Sequence, residues 1–349
     1  MTIRPEHRQS EIAKADGPMR MRDVARVVGV SSMTVSRALR QDTSIAPATR
    51  AAVLEAIAAL GYVPDQMAGA LSSRRSGFVA ALIPSLNNPH FSLTAAALSD
   101  TLQAAGLQLL LGFTEYDRDR ETALVRAMLQ RKPEGIILTH DGHAAETKAL
   151  LSRARIPVVQ IWDLPVEPID HVVGFSNTNA MQALVLALGS KGYRRLTYIG
   201  EVDDAGSRGA ARREGYLNAM QQLGFEPRIL TAGAPPVTMT DGAAALEMLL
   251  ARFPDTDCAV CVSDPLAFGL AMACLRRGIA VPGNLAIAGF GDFEIGRISR
   301  PTISTVAVDA SEIGRKAGNV VLSALAGQHP VNRNDTEIAT FVKLRESTG

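Results

Sequence analysis

The stretch that decides the fold of this chain is Met21 to Arg40, which reads MRDVARVVGVSSMTVSRALR. Apolar residues recur in its first half at helical spacing, which predicts a short helix with one buried face. Gly29 is placed to end that helix, because glycine adopts a left-handed cap at the lowest cost. Ser31 or Ser32 then offers a side-chain oxygen that could begin a second helix. The stretch therefore predicts two short helices joined by a tight turn.

The second predicted helix has a buried side and a polar side. Val35 and Leu39 lie four residues apart and supply the buried side. The other side carries short hydrogen-bonding groups, one flexible apolar side chain and one guanidinium, at Ser32, Met33, Thr34, Ser36 and Arg37. Such groups contact base edges and phosphates, and the pattern is typical of a helix-turn-helix. An ordinary helical hairpin with a polar outer face is the alternative.

Further segments of the chain extend this pattern. Residues 49–73 read TRAAVLEAIAALGYVPDQMAGALSS, and the last residues include FVKLREST. Together with DVARVVGVSSMTVSRALR, they resemble the lac-repressor (LacI) family of bacterial transcription regulators over nearly the whole chain after about residue 19. Within that family, IPSLNNPHF, HVVGFSN, CVSDPLAFG and IAGFGDFEIG are similar to the gluconate-operon repressor branch. The resemblance implies a DNA-binding head followed by a core that binds a small effector.

Charge is distributed unevenly along the chain, although the net charge is only +1. Residues 1–76 hold 11 Lys and Arg against 7 Asp and Glu, a net charge of +4, while the remainder holds 25 against 28, a net charge of −3. The basic excess lies with the predicted helix-turn-helix, as expected for a segment that neutralises DNA phosphates. The 349 residues, 47% of them hydrophobic, suffice for two or three domains.

The sequence also indicates where the protein works. No window approaches the roughly 18 uncharged apolar residues of a membrane helix, and residues 1–18 lack the apolar core of a signal peptide. We expect those residues to form a disordered leader. Three cysteines, Cys258, Cys261 and Cys274, fit a reduced cytoplasm. Because the CAVCV run reads as a buried strand without a second pair of ligands, we expect no metal and no cofactor.

The head and hinge occupy defined ranges. Residues 19–63 are predicted to form the DNA-binding domain, in which Pro47 suits the first turn of a third helix. Residues 64–76 are predicted as a hinge helix or linker, too short and too polar to be a stable helix alone. The resemblance implies that two copies of this segment pair over DNA, that Ala68 and Leu71 contact it, and that Leu71 wedges into the minor groove. A plain linker is the alternative.

Residues 77–349 are predicted to form a two-lobe effector-binding and dimerisation domain. Short apolar runs such as FVAALIP, LQLLLGF and GIILTH alternate there with helical stretches, which indicates parallel sheets buried on both faces. Two such lobes place a ligand in the cleft between them, at the carboxyl ends of the strands. The predicted fold class is therefore α/β: a three-helix helix-turn-helix head plus a periplasmic-binding-protein-like core of two doubly wound sheets.

The resemblance assigns effector-binding positions in the first lobe to Ser85, His90, Phe91 and Asp163. The first three lie where a predicted helix begins, and helix N-termini bind anions and hydroxyls through their free N–H groups. His90 could instead be a solvated turn residue. Trp162 precedes Asp163, and the more common role of such a tryptophan is packing.

In the second lobe the assigned positions are Arg208, Arg212, Ser263, Asp264 and Gly291. Arg212 stands where the family keeps an effector-binding arginine, and a planar guanidinium suits a carboxylate or a vicinal diol. A solvated helix face is the alternative for the arginines, and Asp264 could equally cap the following helix. Sugar-binding members often have aspartate at the position of Gly291. Loss of that carboxylate reduces repulsion toward an anionic ligand, which favours a sugar acid.

These features predict a cytoplasmic, homodimeric repressor that binds a palindromic operator. Its predicted effector is gluconate or a related aldonic or keto acid. We expect no enzymatic activity, because no acid–base or nucleophile constellation stands out. A regulator that responds to a neutral sugar or another metabolite is the first alternative, and a sugar-binding protein or a sugar-acid enzyme has less support.

Overall fold

The structure is a computed structural model, and it describes residues 19–39, 42–63, 76–139, 142–202, 207–328 and 336–349. The predicted leader and the hinge residues Ala68 and Leu71 lie outside the described residues. The chain divides into two units, Met1–Ser76 and Gly77–Gly349. This division falls at the boundary between the predicted hinge segment and the predicted two-lobe domain.

The described part of the first unit is the three-helix head that the sequence predicts. Its helices are α1, Met21–Val28; α2, Ser32–Leu39; and α3, Pro47–Leu60. Gly29 ends α1 with φ at 77°, which is the predicted left-handed cap. Of the two serines that could begin α2, Ser31 does so, since its hydroxyl accepts a hydrogen bond from the N–H of Thr34 at 3.1 Å.

The three helices share one small core. Val24 of α1, Val35 of α2 and Val53 of α3 are all fully buried, and Tyr62, just beyond α3, packs against the same cluster. Because the apolar side of α2 is used in this core, its polar side is left on the surface of the head.

The first lobe of the second unit contains a five-stranded parallel sheet in the order β2-β1-β3-β4-β5. The strands are β1, Phe78–Ile83; β2, Gln108–Phe113; β3, Ile136–Thr139; β4, Val158–Ile161; and β5, His171–Val173. The helices are α4, Pro89–Ala104; α5, Arg118–Gln130; and α6, Ala145–Arg153. Strands β3 and β4 are buried along their whole length, as the continuous apolar runs predict.

The second lobe has a four-stranded parallel sheet in the order β7-β6-β8-β9. Its strands are β6, Leu196–Glu201; β7, Arg228–Gly233; β8, Cys258–Cys261; and β9, Ala286–Ala288. Its helices are α7, Asn177–Ser190; α8, Arg208–Leu223; α9, Met239–Arg252; α10, Asp264–Arg277; and α11, Glu294–Ile298. Cys258 and Cys261 begin and end a buried strand, as predicted, and all three cysteines are free and buried.

The last elements connect the two lobes. They are β10, Thr305–Val308; α12, Ala310–Leu325; and β11, Thr340–Lys343, which pairs antiparallel with β10. Helix α12 packs on α4 of the first lobe, where the hydroxyl of Thr94 donates to the carbonyl of Ala310 at 2.9 Å. Only glycine permits this close approach, because a Cβ at Gly314 would lie 2.2 Å from the carbonyl oxygen of Thr94.

The predicted α/β architecture is thus confirmed. No helix within the described ranges is long and apolar enough to span a bilayer.

Candidate functional site

The predicted DNA contacts of the head lie on the polar side of α2, which we call the reading face: Ser32, Met33, Thr34, Ser36 and Arg37. Ser32 and Arg37 are exposed, and Met33 has 61% of its surface exposed. Thr34 and Ser36 are partly exposed, and the hydroxyl of Thr34 lies 2.9 Å from that of Ser31. The reading face therefore presents an apolar side chain and a cation to solvent beside short polar groups.

A second candidate site, the cleft, lies between the two lobes of the second unit. Its walls are formed by residues at or just beyond the carboxyl ends of β1, β2 and β4 in the first lobe and of β6, β7, β8 and β9 in the second. Six of the nine predicted effector residues line it: His90, Phe91, Arg208, Arg212, Ser263 and Gly291. Ser85, Asp163 and Asp264 are not among its lining residues.

Arg212 is a buried cation that lines the cleft. Its Nε donates to Oδ1 of Asn177 at 2.9 Å, its Nη1 donates to the carbonyl oxygen of Val262 at 2.9 Å, and the guanidinium carbon lies 4.0 Å from the ring centroid of Phe290. Burial, reinforced by the neighbouring Arg208 cation, lowers the pKa of Arg212 to about 10. Within the described ranges no carboxylate forms an ion pair with it, so a desolvated cation is held by neutral partners.

Arg208 begins α8 and reaches toward the first lobe. Its guanidinium carbon lies 5.1 Å from the ring centroid of Phe91, and only 8% of the residue is exposed. Ser207 caps the same helix, since its hydroxyl accepts from the N–H of Ala210 at 3.0 Å. The N-terminus of a 16-residue helix and two arginines thus face the cleft, where the carboxylate of Glu201 lies beside Gly209. Two cations and a helix N-terminus outweigh this one carboxylate, so the arrangement favours a negatively charged ligand.

His90 is buried at the opposite wall rather than solvated in a turn. Its ring centroid lies 4.0 Å from that of Phe293 and 5.6 Å from that of Trp162. Burial, together with the nearby Arg212 charge, lowers the pKa of His90 to about 4, so its ring is neutral at pH 7. Neither ring nitrogen has a hydrogen-bond partner among the residues that the structure describes.

Gly291 leaves space for these rings. It has φ at 124°, and a Cβ there would lie 2.4 Å from Cε2 of Phe293 and 2.9 Å from Nε2 of His90. An aspartate at this position would therefore need both rings to move. Asp292, next in sequence, accepts hydrogen bonds from Lys343 at 2.9 Å and Arg345 at 2.5 Å, and it is not among the residues that line the cleft.

Asp264 is fully buried and fixes the loop that carries Gly291. Its carboxylate accepts from the N–H of Phe293 at 2.7 Å and from the hydroxyl of Thr305 at 2.7 Å. Burial raises the pKa of Asp264 to about 6. The alternative that Asp264 caps its own helix was wrong: the N-cap of α10 is Ser263, and Asp264 lies in the first turn. The carboxylate is used instead to hold a distant loop.

Ser85 and Asp163 have local partners. The hydroxyl of Ser85 accepts from the N–H of Asn87 at 3.0 Å in the turn before α4. Asp163 accepts from Nδ2 of Asn177 at 3.1 Å. In the structure, both predicted ligand residues thus support neighbouring segments, and their effector contacts stay predictions.

Several residues of this site were not predicted as effector-binding residues, among them Glu201, Trp162 and Asn177. Glu201 ends β6 and lines the cleft, and Trp162 lines it from the first lobe. Asn177 is fully buried and joins the two lobes through its contacts with Arg212 and Asp163. The position of Glu201 directly after an apolar strand was an available signal, since ligands collect at such strand ends. Across the described part of the chain, no group of three or more His, Cys, Asp or Glu residues could hold a metal ion.

Comparison with known proteins gives consistent matches. Residues 20–65 match the model of bacterial regulatory proteins of the lacI family, and residues 185–348 match that of a periplasmic binding protein-like domain. HTH-type transcriptional regulator GntR of Pseudomonas aeruginosa is 34% identical over 336 residues, 96% of this chain and 97% of that protein. HTH-type transcriptional regulator IdnR of Escherichia coli is 32% identical over 306 residues, 87% and 91% of the two chains. A LacI-family regulator crystal structure from Silicibacter pomeroyi has a TM-score of 0.86 at 32% identity, covering 95% of this chain and 99% of that one.

Proposed function

We propose that a small sugar acid bound in the cleft controls operator binding by this protein. The chain belongs to the lacI family of bacterial regulatory proteins and is a DNA-binding transcriptional repressor. Gluconate or a related aldonic or keto acid is the proposed effector. The similarity to regulators named GntR and IdnR supports this class, as does the resemblance of the sequence to the gluconate-operon repressor branch.

The observation that carries the proposal is the state of Arg212. Its hydrogen-bond partners are a side-chain amide oxygen and a backbone carbonyl oxygen, both neutral. Because these direct partners are neutral, a carboxylate in the cleft would add charge-assisted hydrogen bonds to a desolvated cation. Arg208 and the N-terminus of α8 add positive potential at the same end of the cleft.

The remainder of the cleft suits the hydroxyl groups of such an acid. The neutral ring of His90 offers one donor and one acceptor, and Glu201 contributes carboxylate oxygens on the second lobe. Gly291 replaces a carboxylate that would repel the ligand, and its backbone allows Phe293 and His90 to close that side.

Regulation is proposed to follow from lobe closure. A ligand that contacts both walls favours the closed arrangement of the lobes, and a preference of about 10⁴-fold moves the population almost completely. We propose a homodimer on a palindromic operator, in which Ser32, Met33 and Arg37 read bases, Thr34 and Ser36 bind phosphates, and Ala68 and Leu71 contact the minor groove. In this proposal, closure weakens the hold of the hinge segments on the operator.

The test is a thermal-shift measurement of the full chain against sugar acids, neutral sugars and purines. A ligand at a hundredfold excess over its Kd stabilises the folded state by about 2.7 kcal/mol. Gluconate or a close relative is expected to raise Tm, and the same compound is expected to release operator DNA in a fluorescence-anisotropy assay. A rise in Tm with a neutral sugar alone would contradict the sugar-acid assignment while leaving the repressor itself in place.

A further inference from the structure

The backbone of Trp162 adopts a conformation that large side chains avoid. Its φ is 75°, in the left-handed region, where a bulky residue is a genuine outlier. Two hydrogen bonds hold it there: its N–H donates to the carbonyl oxygen of Val173 at 3.1 Å, and its carbonyl oxygen accepts from Nδ2 of Asn177 at 3.0 Å. Strain of this kind persists where the surroundings enforce it, and it is concentrated at functional sites.

The strained backbone places the indole in the wall of the cleft. Trp162 is only 3% exposed, and its ring packs against those of Phe91 at 5.5 Å and Phe175 at 6.2 Å. Trp162 lines the cleft, and its Nε1–H is buried and has no partner among the described residues. Buried indole N–H groups are normally paired. Packing alone would be served by a phenylalanine, which carries no donor to satisfy.

Asn177 links this indole to the cation on the other lobe. Its Nδ2 donates to the carbonyl oxygen of Trp162 and to Oδ1 of Asp163, while its Oδ1 accepts from Nε of Arg212. One fully buried amide therefore sets the positions of both Trp162 and Arg212. Asp163 accepts a hydrogen bond from that amide and so helps to orient it.

From these contacts we propose that the Nε1–H of Trp162 donates a hydrogen bond to an oxygen of the effector, at a point on the ligand away from its acid group. The inference rests on the proposed function, in which the acid group lies at Arg212. It narrows the ligand class to acids that carry a hydroxyl or carbonyl oxygen along the chain, because a short acid that fills only the arginine end leaves the indole unpaired. Trp162 is then a specificity-determining residue that joins the first lobe to the ligand.

The test uses the fact that Trp162 is the only tryptophan in the chain. The full-length protein, labelled with ¹⁵N in its indole, has a single indole N–H resonance. It is titrated with D-gluconate, or with whichever compound of the thermal-shift panel raises Tm. We expect the indole proton to move downfield on saturation. By calorimetry, Trp162→Phe is expected to bind the same compound about tenfold more weakly, the loss of one hydrogen bond.

Phe175→Leu is the matched control. Phe175 is 2% exposed and packs against Trp162 without lining the cleft, so its removal disturbs the same cluster but no ligand contact. We expect Phe175→Leu to lower Tm and to leave the Kd unchanged. A Kd that Trp162→Phe and Phe175→Leu weaken equally would make Trp162 a packing residue and overturn the inference.

The two proposals fail in different ways. If an acid raises Tm while the indole resonance stays in place, the sugar-acid function stands and the role of Trp162 is overturned. If a neutral sugar raises Tm and moves the indole resonance, the sugar-acid function is overturned and Trp162 remains a ligand donor. If no compound of the panel binds, both proposals fail. The resonance is measured on the unsubstituted chain, so the result does not depend on the folding of any variant.

Discussion

The reading face of α2 and the walls of the cleft hold their polar groups in opposite surroundings. Met33 is 61% exposed and Arg37 is exposed, whereas His90 and Trp162 in the cleft are 9% and 3% exposed. A side chain that already stands in water is exchanged at little cost to folding, while a buried one is coupled to its partners and its packing. Function and stability should therefore be separable on the reading face and linked in the cleft.

The largest expected effect that tests this contrast is at Arg212. Arg212→Met keeps most of the side-chain volume but removes the charge, so the effector loses about two charge-assisted hydrogen bonds and about 3 kcal/mol, or about 100-fold in Kd. Asn177 and the carbonyl oxygen of Val262 lose their donor at the same time, which costs about 1–3 kcal/mol of stability. Calorimetry with gluconate and urea unfolding measure the two losses.

Arg212→Lys is the control, since it keeps the charge but not the planar fork. It is expected to retain part of the affinity, and both variants are expected to bind operator DNA as the parent does. A variant with weak effector binding and fully retained stability would break the proposed link between function and folding in the cleft.

The second effect concerns the pH dependence of stability at His90. Its pKa is lowered from 6.5 to about 4 by burial and by Arg212, so the unfolded chain takes up a proton between these values before the folded chain does. The corresponding stability is present above pH 6.5 and is lost as the pH falls toward 4, in total about 3 kcal/mol. About 2 kcal/mol of that is already lost at pH 5.

This loss is measured by urea unfolding of the parent and of His90→Gln at about pH 7.5 and about pH 5. Asp264 acts in the opposite direction over the same range, because its pKa is raised to about 6 by burial. The variant is compared with the parent at each pH so that this term cancels. An identical pH dependence in both proteins would show that His90 is solvated.

The third effect lies on the reading face. Arg37→Ala removes the guanidinium proposed to contact guanine, and operator affinity should fall by about 1–3 kcal/mol. Because Arg37 is exposed, the free energy of unfolding should change by less than about 0.5 kcal/mol. Fluorescence anisotropy with operator and scrambled DNA, beside urea unfolding, measures both. A loss that is equal on the two DNAs would make Arg37 a phosphate contact.

The same contrast explains how far the sequence could predict this molecule. The head could be predicted because its signals lie close together in the sequence. Gly29 ends α1 as predicted, and Ser31, one of the two serines considered, caps α2. The continuous apolar runs likewise predict β1 to β6, β8 and β9. Strands β7, β10 and β11 were not predicted. Strand β7, Arg228–Gly233, lies at the edge of its sheet, and Leu230 is its single buried residue, so its apolar run is short.

The cleft depends on contacts between residues that are far apart in the chain. Asp264 bonds a loop 29 residues away, and Arg212 bonds Asn177 from 35 residues away. A single sequence carries no signal for such pairs, so Asp264 was predicted as an effector ligand or a helix cap, and Asn177 was not predicted to belong to the site. The sequence could indicate which strand ends meet, but it could not indicate which side chains there face the ligand and which face one another.

The smallest expected effect is at Met33, whose side chain has no hydrogen bond to give and is proposed to contact a thymine methyl. Met33→Ala should weaken operator binding by less than about 1 kcal/mol, the value of about one buried methylene or methyl group. The measurement is a double-mutant cycle in which each thymine of the operator half-site is replaced by uracil, which lacks only the methyl group. If Met33 contacts a thymine methyl, one of these replacements should weaken operator binding by the parent and leave operator binding by Met33→Ala unchanged. If no replacement distinguishes the two proteins, Met33 reads the shape of the groove.

In either case its 61% exposure predicts unchanged stability, and a clear drop in Tm would contradict the separation of function from folding on the reading face.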